Sequence, residues 1–342
     1  MTKPSQLIQL DKLIAKLERK LAKTFRESME NAAFDIDVPA LINALKDRNI
    51  TQALNLVDIT PGALFELDES IRSAYLAGGA FVTEDMPKIL RGKFAFNGRH
   101  FRAEQWVSEN VGNLIQGITE ETLQTTRSVI ETGLRENRTP KQIARDITGR
   151  TVSGKRVGGF LGLNSDQTDQ VIKARSILSD PDKIRSYFIK DRVTGKMKPR
   201  FKLSNRRFDK IIREAIENGT ALSGRTLDRV IDAHKTKALG YRGRVIAKDQ
   251  TFRAIAAGRD EGYVQMLERN EVQSVTKRWQ HNLSENPRDD HVAMNGAVVD
   301  LSEKFVFPDG DQLKHSHDPE GGAEHNVGCH CTTFYRVQVV KN

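Results

Sequence analysis

Apolar residues recur at helical spacing along most of this chain, and the pattern changes only near its end. In the first thirty positions Leu10, Ile14, Leu17 and Leu21 alternate steps of four and three, with Lys16, Glu18, Arg19 and Lys20 between them. That spacing predicts one helix over residues 4–30, its apolar seam laid against the body or a partner helix. Pro39 opens a second helical stretch. Thr60-Pro61 reads as an N-cap followed by proline at the first helical position. Ala77-Gly78-Gly79-Ala80 marks either a break or a close helix contact.

The helical period resumes at Arg102, with Val111, Leu114, Ile115 and Ile118 on one face. Thr119 is expected to cap a new helix whose first turn carries Glu120 and Glu121, favourable against the helix dipole. Thr139-Pro140 starts another helix, ending near Gly149. The glycine-rich run Thr151–Leu163 holds Lys155 and Arg156, and reads as an ordered or mobile loop. It lacks the spacing of a phosphate-binding loop. Asn164 or Ser165 caps a helix through Ile177. Ser204 is expected to cap one with Phe208, Ile211, Ile212 and Ile216 buried, closed by Gly219. A long helical segment then runs from about Leu222 to Glu268.

Beyond Glu271 the period becomes two. Val272 to Trp279, Ala297 to Val299 and Thr332 to Val339 alternate as strands, separated by Pro287, Gly296, Pro308-Asp309-Gly310, Pro319 and Gly328. The fold class that follows is mainly α: a helical body with a small loop-rich α+β C-terminal module. The organisation expected is 1–95, an N-terminal helical region; 96–270, a basic helical body; and 271–342, the C-terminal module.

Charge sharpens this division. The 342 residues carry a net charge of +9. Between Pro181 and Gln250 there are 19 Lys or Arg against 8 Asp or Glu, whereas His281 to Asn342 has 5 against 10. Two partners of opposite character are implied. The stretch Asp191–Lys202 reads as a loop or short hairpin. With the residues after it, it offers Lys196, Lys198, Arg200, Lys202, Arg206 and Arg207 to non-specific double-stranded DNA, where phosphate neutralisation supplies the affinity. No apolar run approaches the roughly 20 residues that span a bilayer, and the charged N-terminus has no signal-peptide core, so synthesis in the cytoplasm and no membrane partner are expected.

The candidate chemistry lies in the C-terminal module. Six of the eight histidines are there (His281, His291, His315, His317, His325 and His330), with both cysteines, Cys329 and Cys331. A one-residue spacing strains a disulfide. On an extended strand it points both thiols to one side, so both can reach one ion. Zinc is the cofactor this composition suits, with His291 as third ligand and His315 or His317 as fourth. The alternative is a small core in which the cysteines are simply buried and Arg288 and His291 hold loops through Asp289, Asp290 or Asp300. Two catalytic arrangements were weighed: Cys331 with His291 as nucleophile and base, and a metal-dependent nuclease using His315, His317, Asp318, Asn326 and His330. Nothing in the sequence shows a lowered thiol pKa for the first, the order and spacing of the second match poorly, and no catalytic residue is assigned. His100 stands alone and reads as structural.

Trp279, Arg288-x-x-His291, Gly296, Phe305, Gly310, Pro319 and Asn326-x-x-Cys329-x-Cys331 together resemble the C-terminal motif of the phage Mu F-like family of minor head proteins. Arg206 to Ala257 resembles the helical region before it more loosely. His330 stands where the family often has arginine, and Val327-Gly328 separate the asparagine from the first cysteine. The resemblance implies a structural motif carried by Trp279, Arg288, His291 and Gly296. It also implies a non-enzymatic virion protein inside a tailed-phage head near the portal, assisting head assembly and DNA packaging or ejection. Its implied partners are the portal protein and capsid or scaffolding proteins. The eleven residues after Cys331 leave no room for the toxin domain some members carry there.

Overall fold

The computed structural model describes residues 5–90, 92–270, 272–282 and 286–339. Among them the helices are α1 Ser5–Asp35, α2 Val38–Lys46, α3 Ile50–Asn55, α4 Phe65–Asp85, α5 Phe101–Arg135 and α6 Pro140–Thr148. They continue with α7 Ser165–Leu178, α8 Asp209–Glu217, α9 Gly224–Glu268, α10 Asp289–Ala293 and α11 Gly322–Asn326. The strands are short: β1 Arg150–Val152, β2 Lys155–Val157, β3 Phe188–Lys190, β4 Met197–Pro199, β5 Ser274–Gln280, β6 Val298–Asp300, β7 Phe305–Val306, β8 Gln312–Leu313 and β9 Thr332–Gln338. The fold is mainly α, with its largest sheet in the C-terminal region. No helix among the described residues is long and apolar enough to cross a membrane.

Two compact units are defined by the chain's contacts. One gathers Met1–Thr24, Glu66–Asn113 and Val245–Asn342; the other gathers Phe25–Phe65 and Leu114–Arg244.

In the first unit, α4 and the second half of α9 meet at backbone contact. A Cβ on Gly78 would lie 2.4 Å from the Ile255 carbonyl oxygen, and one on Gly258 would lie 2.1 Å from that of Tyr75. Gly78-Gly79 therefore does not break the helix; it admits a neighbouring backbone. Around this crossing Val82, Met86, Leu90 and Phe94 pack with Tyr263, Met266, Val272, Val275 and Leu301. That core joins helices to the sheet β6-β5-β9, whose strands are all antiparallel. In α1, Leu10, Ile14 and Leu21 are buried. The helix runs five residues past its expected end, and its expected first residue, Pro4, lies outside the described residues.

The second unit is built on buried charge. Asp146 on α6 accepts from Arg138, from Arg175 Nη2 (3.4 Å) and from Lys235 Nζ (3.2 Å). Burial pushes this carboxyl up, but Lys235, Arg175 and Arg138 more than reverse that and hold it down at about 2. Thr139 and Gln142 cap α6 reciprocally, and Asn164 with Gln167 does the same for α7. The glycine-rich run is ordered. Its first part is the β1–β2 hairpin, turned by Ser153 and Gly154 with φ of 49° and 76°, as primed turns require. Gly158 then passes so close to Asp232 that a Cβ would lie 2.7 Å from that side chain's own.

Three expectations are corrected. Thr119 caps nothing, because α5 is continuous and its apolar stripe runs on through Val111, Ile118, Val129 and Ile130. Its inner threonines satisfy their hydroxyls within the helix: Thr122 Oγ1 donates to the Ile118 carbonyl at 2.7 Å. Glu121 is thus mid-helix, and accepts from Arg242 Nη2 at 2.5 Å. Ser204 is buried, its carbonyl accepting from Lys237 Nζ (2.8 Å), and Asn205 caps the following turn instead. Ile211 is exposed; Phe208, Ile212 and Ala215 form the buried face.

Gly258→Ala should lower the unfolding free energy by about 1–3 kcal/mol, since the added Cβ meets backbone. Gly112→Ala, where nothing lies within 4 Å, should raise it by about 0.5–1 kcal/mol. Paired urea titrations check both, and equal effects refute the close-contact account. The buried His234 provides a second check. Burial, then the charge of Lys237, pushes its imidazole down to about 4 from 6.5. As the pH falls through 6.5 the unfolded chain takes up a proton that folded His234 refuses until about pH 4. Roughly 3 kcal/mol of stability is lost across that window. His234→Gln should remove that share of the fall in Tm between pH 7 and 4. Asp146 interferes little, because its contribution is lost mainly between its unfolded value of 3.8 and about 2, below this window.

Candidate metal centre

The C-terminal module is organised by strand parity. Along β5, Val275, Lys277 and Trp279 face inward while Arg278 is exposed. Trp279 is fully buried, and the rings of His291, Phe305 and Phe307 meet it edge-on with centroids 4.9 to 5.5 Å away. Its backbone closes a loop, donating to the Ala297 carbonyl and accepting from Gly296 N, both at 2.9 Å. Gly296 needs its glycine, with φ of 91°. Arg288 stands at the N-cap of α10, and its Nη2 donates to the Val327 carbonyl at 2.7 Å. That bond ties the helix carrying His291 to the loop carrying Cys329.

Cys329 and Cys331 lie just before β9 and are both buried. Their Sγ atoms are 3.5 and 3.4 Å from His291 Nδ1. His281 Nδ1 is 3.7 Å from Cys331 Sγ. Zinc ligands at 2.0–2.3 Å in a tetrahedron are separated by about 3.3–3.8 Å, so these spacings suit a shared ion. His291, Cys329 and Cys331 form a group able to hold a metal. The Cys329 thiol is pushed well down, first by the hydrogen bond from Cys331 and then, against burial, by His291. The Cys331 thiol is pushed up by that same bond and by burial. The pair thus favours one thiolate and resists a second unless a cation arrives. The buried Trp279 Nε1–H faces the Cys331 thiol and acts against its upward shift.

The other histidines take different places. His315 Nδ1 is 2.9 Å from the Ser316 carbonyl. His317 stacks on Phe252 (4.5 Å) with its Nε2 3.2 Å from the Cys331 carbonyl. Neither joins the sulfur group; His281 touches it at Cys331, outside the three clustered residues. Its signal was parity: it follows Trp279 by two positions on an extended segment, hence on the same side. His325, given no role from the sequence, is 2% exposed and lies parallel to the His291 ring. His330 is exposed and within 2.9 Å of Lys248 Nζ.

Neither catalytic arrangement gains support. Cys331 and His291 meet, but at 3% and 2% exposure they have no surface at which to take a substrate. Asp318 is occupied as a turn former, its carboxylate accepting from Lys314 N (2.7 Å) and Glu320 N (3.1 Å). Asp249 pairs with Arg253 at 2.9 Å.

In the second unit, β3 and β4 form the hairpin expected around Asp191–Lys202. Lys196, Lys198, Arg200, Lys202, Arg206 and Arg207 are all exposed on it or just after it. Lys198 pairs with Asp191 and Arg206 with Asp209.

Comparison with known proteins bears on the C-terminal half. Residues 206–334 match the family described as Phage Mu protein F like protein. The resemblance read from the motif holds across that stretch. The chain is also similar to the uncharacterized protein YqbB of Bacillus subtilis (strain 168). The two are 21% identical over 261 residues, covering 73% of this chain and 68% of the relative. No solved structure matches.

Proposed function

We propose that this chain is a minor head protein of a tailed phage, placed inside the head near the portal, where it assists head assembly and DNA packaging or ejection. The observation that carries the reading is the family match over residues 206–334. It spans both the long helix α9 and the module closed by Trp279, His291, Cys329 and Cys331. The acidic module suits docking to a protein: portal, capsid or scaffold. The six exposed cations at the β3–β4 hairpin suit packaged double-stranded DNA, bound through phosphates and without base specificity. A zinc ion in the Cys/His pocket belongs to the same reading, as a staple for a module with few apolar residues of its own.

Quantitative mass spectrometry of purified particles and proheads tests the role. A few to a few tens of copies per head are expected. Absence from both overturns the reading and brings forward a metal-dependent nuclease. DNA contact has its own test, the slope of log K against log salt. Replacing Lys196, Arg200, Lys202 and Arg207 by Gln should flatten that slope by roughly 3–4, at about 0.9 per phosphate contact. A wild-type protein with no slope would remove the DNA part.

A further inference from the structure

We propose that His325, with Asp309 and Asp311, is a positioning relay that fixes His291 as an Nδ1 ligand of a single metal ion, and that His281 completes its Cys2His2 set. The inference rests on the zinc reading above and goes further by assigning the fourth ligand and the outer partners.

The geometry is a line of four ring nitrogens. His291 Nδ1 faces the two sulfurs at 3.4 and 3.5 Å. His291 Nε2 is 3.0 Å from His325 Nδ1. His325 Nε2 is 2.9 Å from Asp311 Oδ2 and 3.2 Å from Asp309 Oδ2. The rings are nearly parallel, at 10°, and both are buried, whereas the two carboxylates at the outer end are about half exposed.

Proton positions follow from what each end accepts. A neutral imidazole has one N–H and one lone pair, and a carboxylate only accepts. Asp309 and Asp311 therefore draw the His325 proton to Nε2, leaving a lone pair on Nδ1. That lone pair takes the His291 proton at Nε2, 3.0 Å away; the Asp290 carboxylate flanks this contact at 3.5 Å from His325 Nδ1 and 4.0 Å from His291 Nε2, without hydrogen-bond geometry to either ring. His291 Nδ1 is then a lone pair aimed at the sulfurs, which is the form a metal needs. Two thiolates balance the charge of a divalent ion, and the two imidazoles add none.

The same two protons limit how many ions bind. His325, Asp309 and Asp311 could hold a cation by themselves. Such an ion would take the His325 Nε2 lone pair and move the proton to Nδ1. The His291 proton would then turn towards the sulfurs and close the inner site. With both rings neutral, the two sites exclude each other. The softer inner donors, two thiolates and imidazole, are the set zinc prefers.

The test uses the full chain. Zinc content is measured after dialysis, affinity by competition with a chromophoric chelator, and geometry by cobalt(II) substitution. The wild type should hold one zinc and give a sulfur-to-cobalt charge-transfer band with tetrahedral d–d absorption. Cys329→Ser should lose that band, and His281→Ala should weaken binding and alter the d–d pattern. His325→Gln and the double change Asp309→Asn with Asp311→Asn should keep one zinc but bind it about 10- to 100-fold more weakly. The aspartates are half exposed, so the double variant keeps the test open if His325→Gln does not fold. Asp311→Glu should restore affinity. Zinc-free, cobalt-silent wild type overturns the zinc reading itself. Normal zinc in the wild type with unchanged affinity in the relay variants overturns only the relay, and an unchanged His281→Ala removes the fourth ligand. Two ions per chain overturn the exclusion.

Discussion

One buried guanidinium fixes the geometry on which the C-terminal module depends. Arg259, 3% exposed, donates from Nη2 to Asp85 at 3.1 Å and from Nη1 to the Thr333 carbonyl at 3.1 Å. Phe81 and Tyr335 flank it, with ring centroids 5.7 and 5.3 Å away. A charge in such a place has to be paired; stripping a partner from a buried ion pair commonly costs about 3–5 kcal/mol. So α4, α9 and β9 are held to a common point. Tyr335 adds to the hold, stacking on Tyr263 (4.3 Å) and donating to Asp260 at 2.9 Å. Thr333 follows Cys331 by two residues, so the register that sets the thiols against His291 is inherited from Arg259.

The module itself is mostly loop, and its interior is correspondingly polar. Trp279, Phe305, Phe307, Leu313 and the two cysteines form its own apolar cluster, while its Val272, Val275 and Leu301 pack with α4 and α9. Packed among them are His291, His315, His317, His325 and Asn326, each at most 4% exposed. Polar groups so deep need partners. The module supplies most of them from loop carbonyls, from the His291–His325 pair and from Asp311, while His317 Nδ1 and Asn326 Oδ1 keep none. Its specificity of form therefore depends on hydrogen bonds and sulfur contacts more than on apolar volume. The helical units are opposite in kind: one relies on glycine-mediated backbone contact, the other on carboxylates buried among arginines and lysines.

Much of this was legible in the sequence because it follows from local periodicity. The change from period 3.6 to period two placed β5, β6 and β9 to within two residues, and Thr139-Pro140 and Asn164 marked true helix caps. The meeting of both cysteines with His291 was legible too. What was not legible depends on contacts distant in sequence. Thr119 looked like a cap because its own hydroxyl can serve as one, and nothing local says that the apolar stripe of α5 continues. Ser204 lost its place to Asn205 because its hydroxyl is turned to the buried Tyr187 instead of to the helix start. Gly78 and Gly258 are ordinary helix weaknesses until each is seen to admit the other helix's backbone. His325 reaches His291 only through the loops around Gly310 and Gly321, whose paths no local pattern specifies.

The strand pairing also has a mechanical meaning. β5 enters the module and β9 leaves it side by side, with Ser274 opposite Gln338 and Gln280 opposite Thr332. Tension applied between the chain before β5 and the chain after β9 would load the Ser274–Gln338 rung first. Such a pair opens like a zip, one rung after another, rather than resisting in parallel as sheared strands do. Peeling would travel along seven residue pairs before it reached Cys331 and the cluster behind Trp279. The module can thus yield gradually at its open end under a pull while its sulfur-bearing end remains closed.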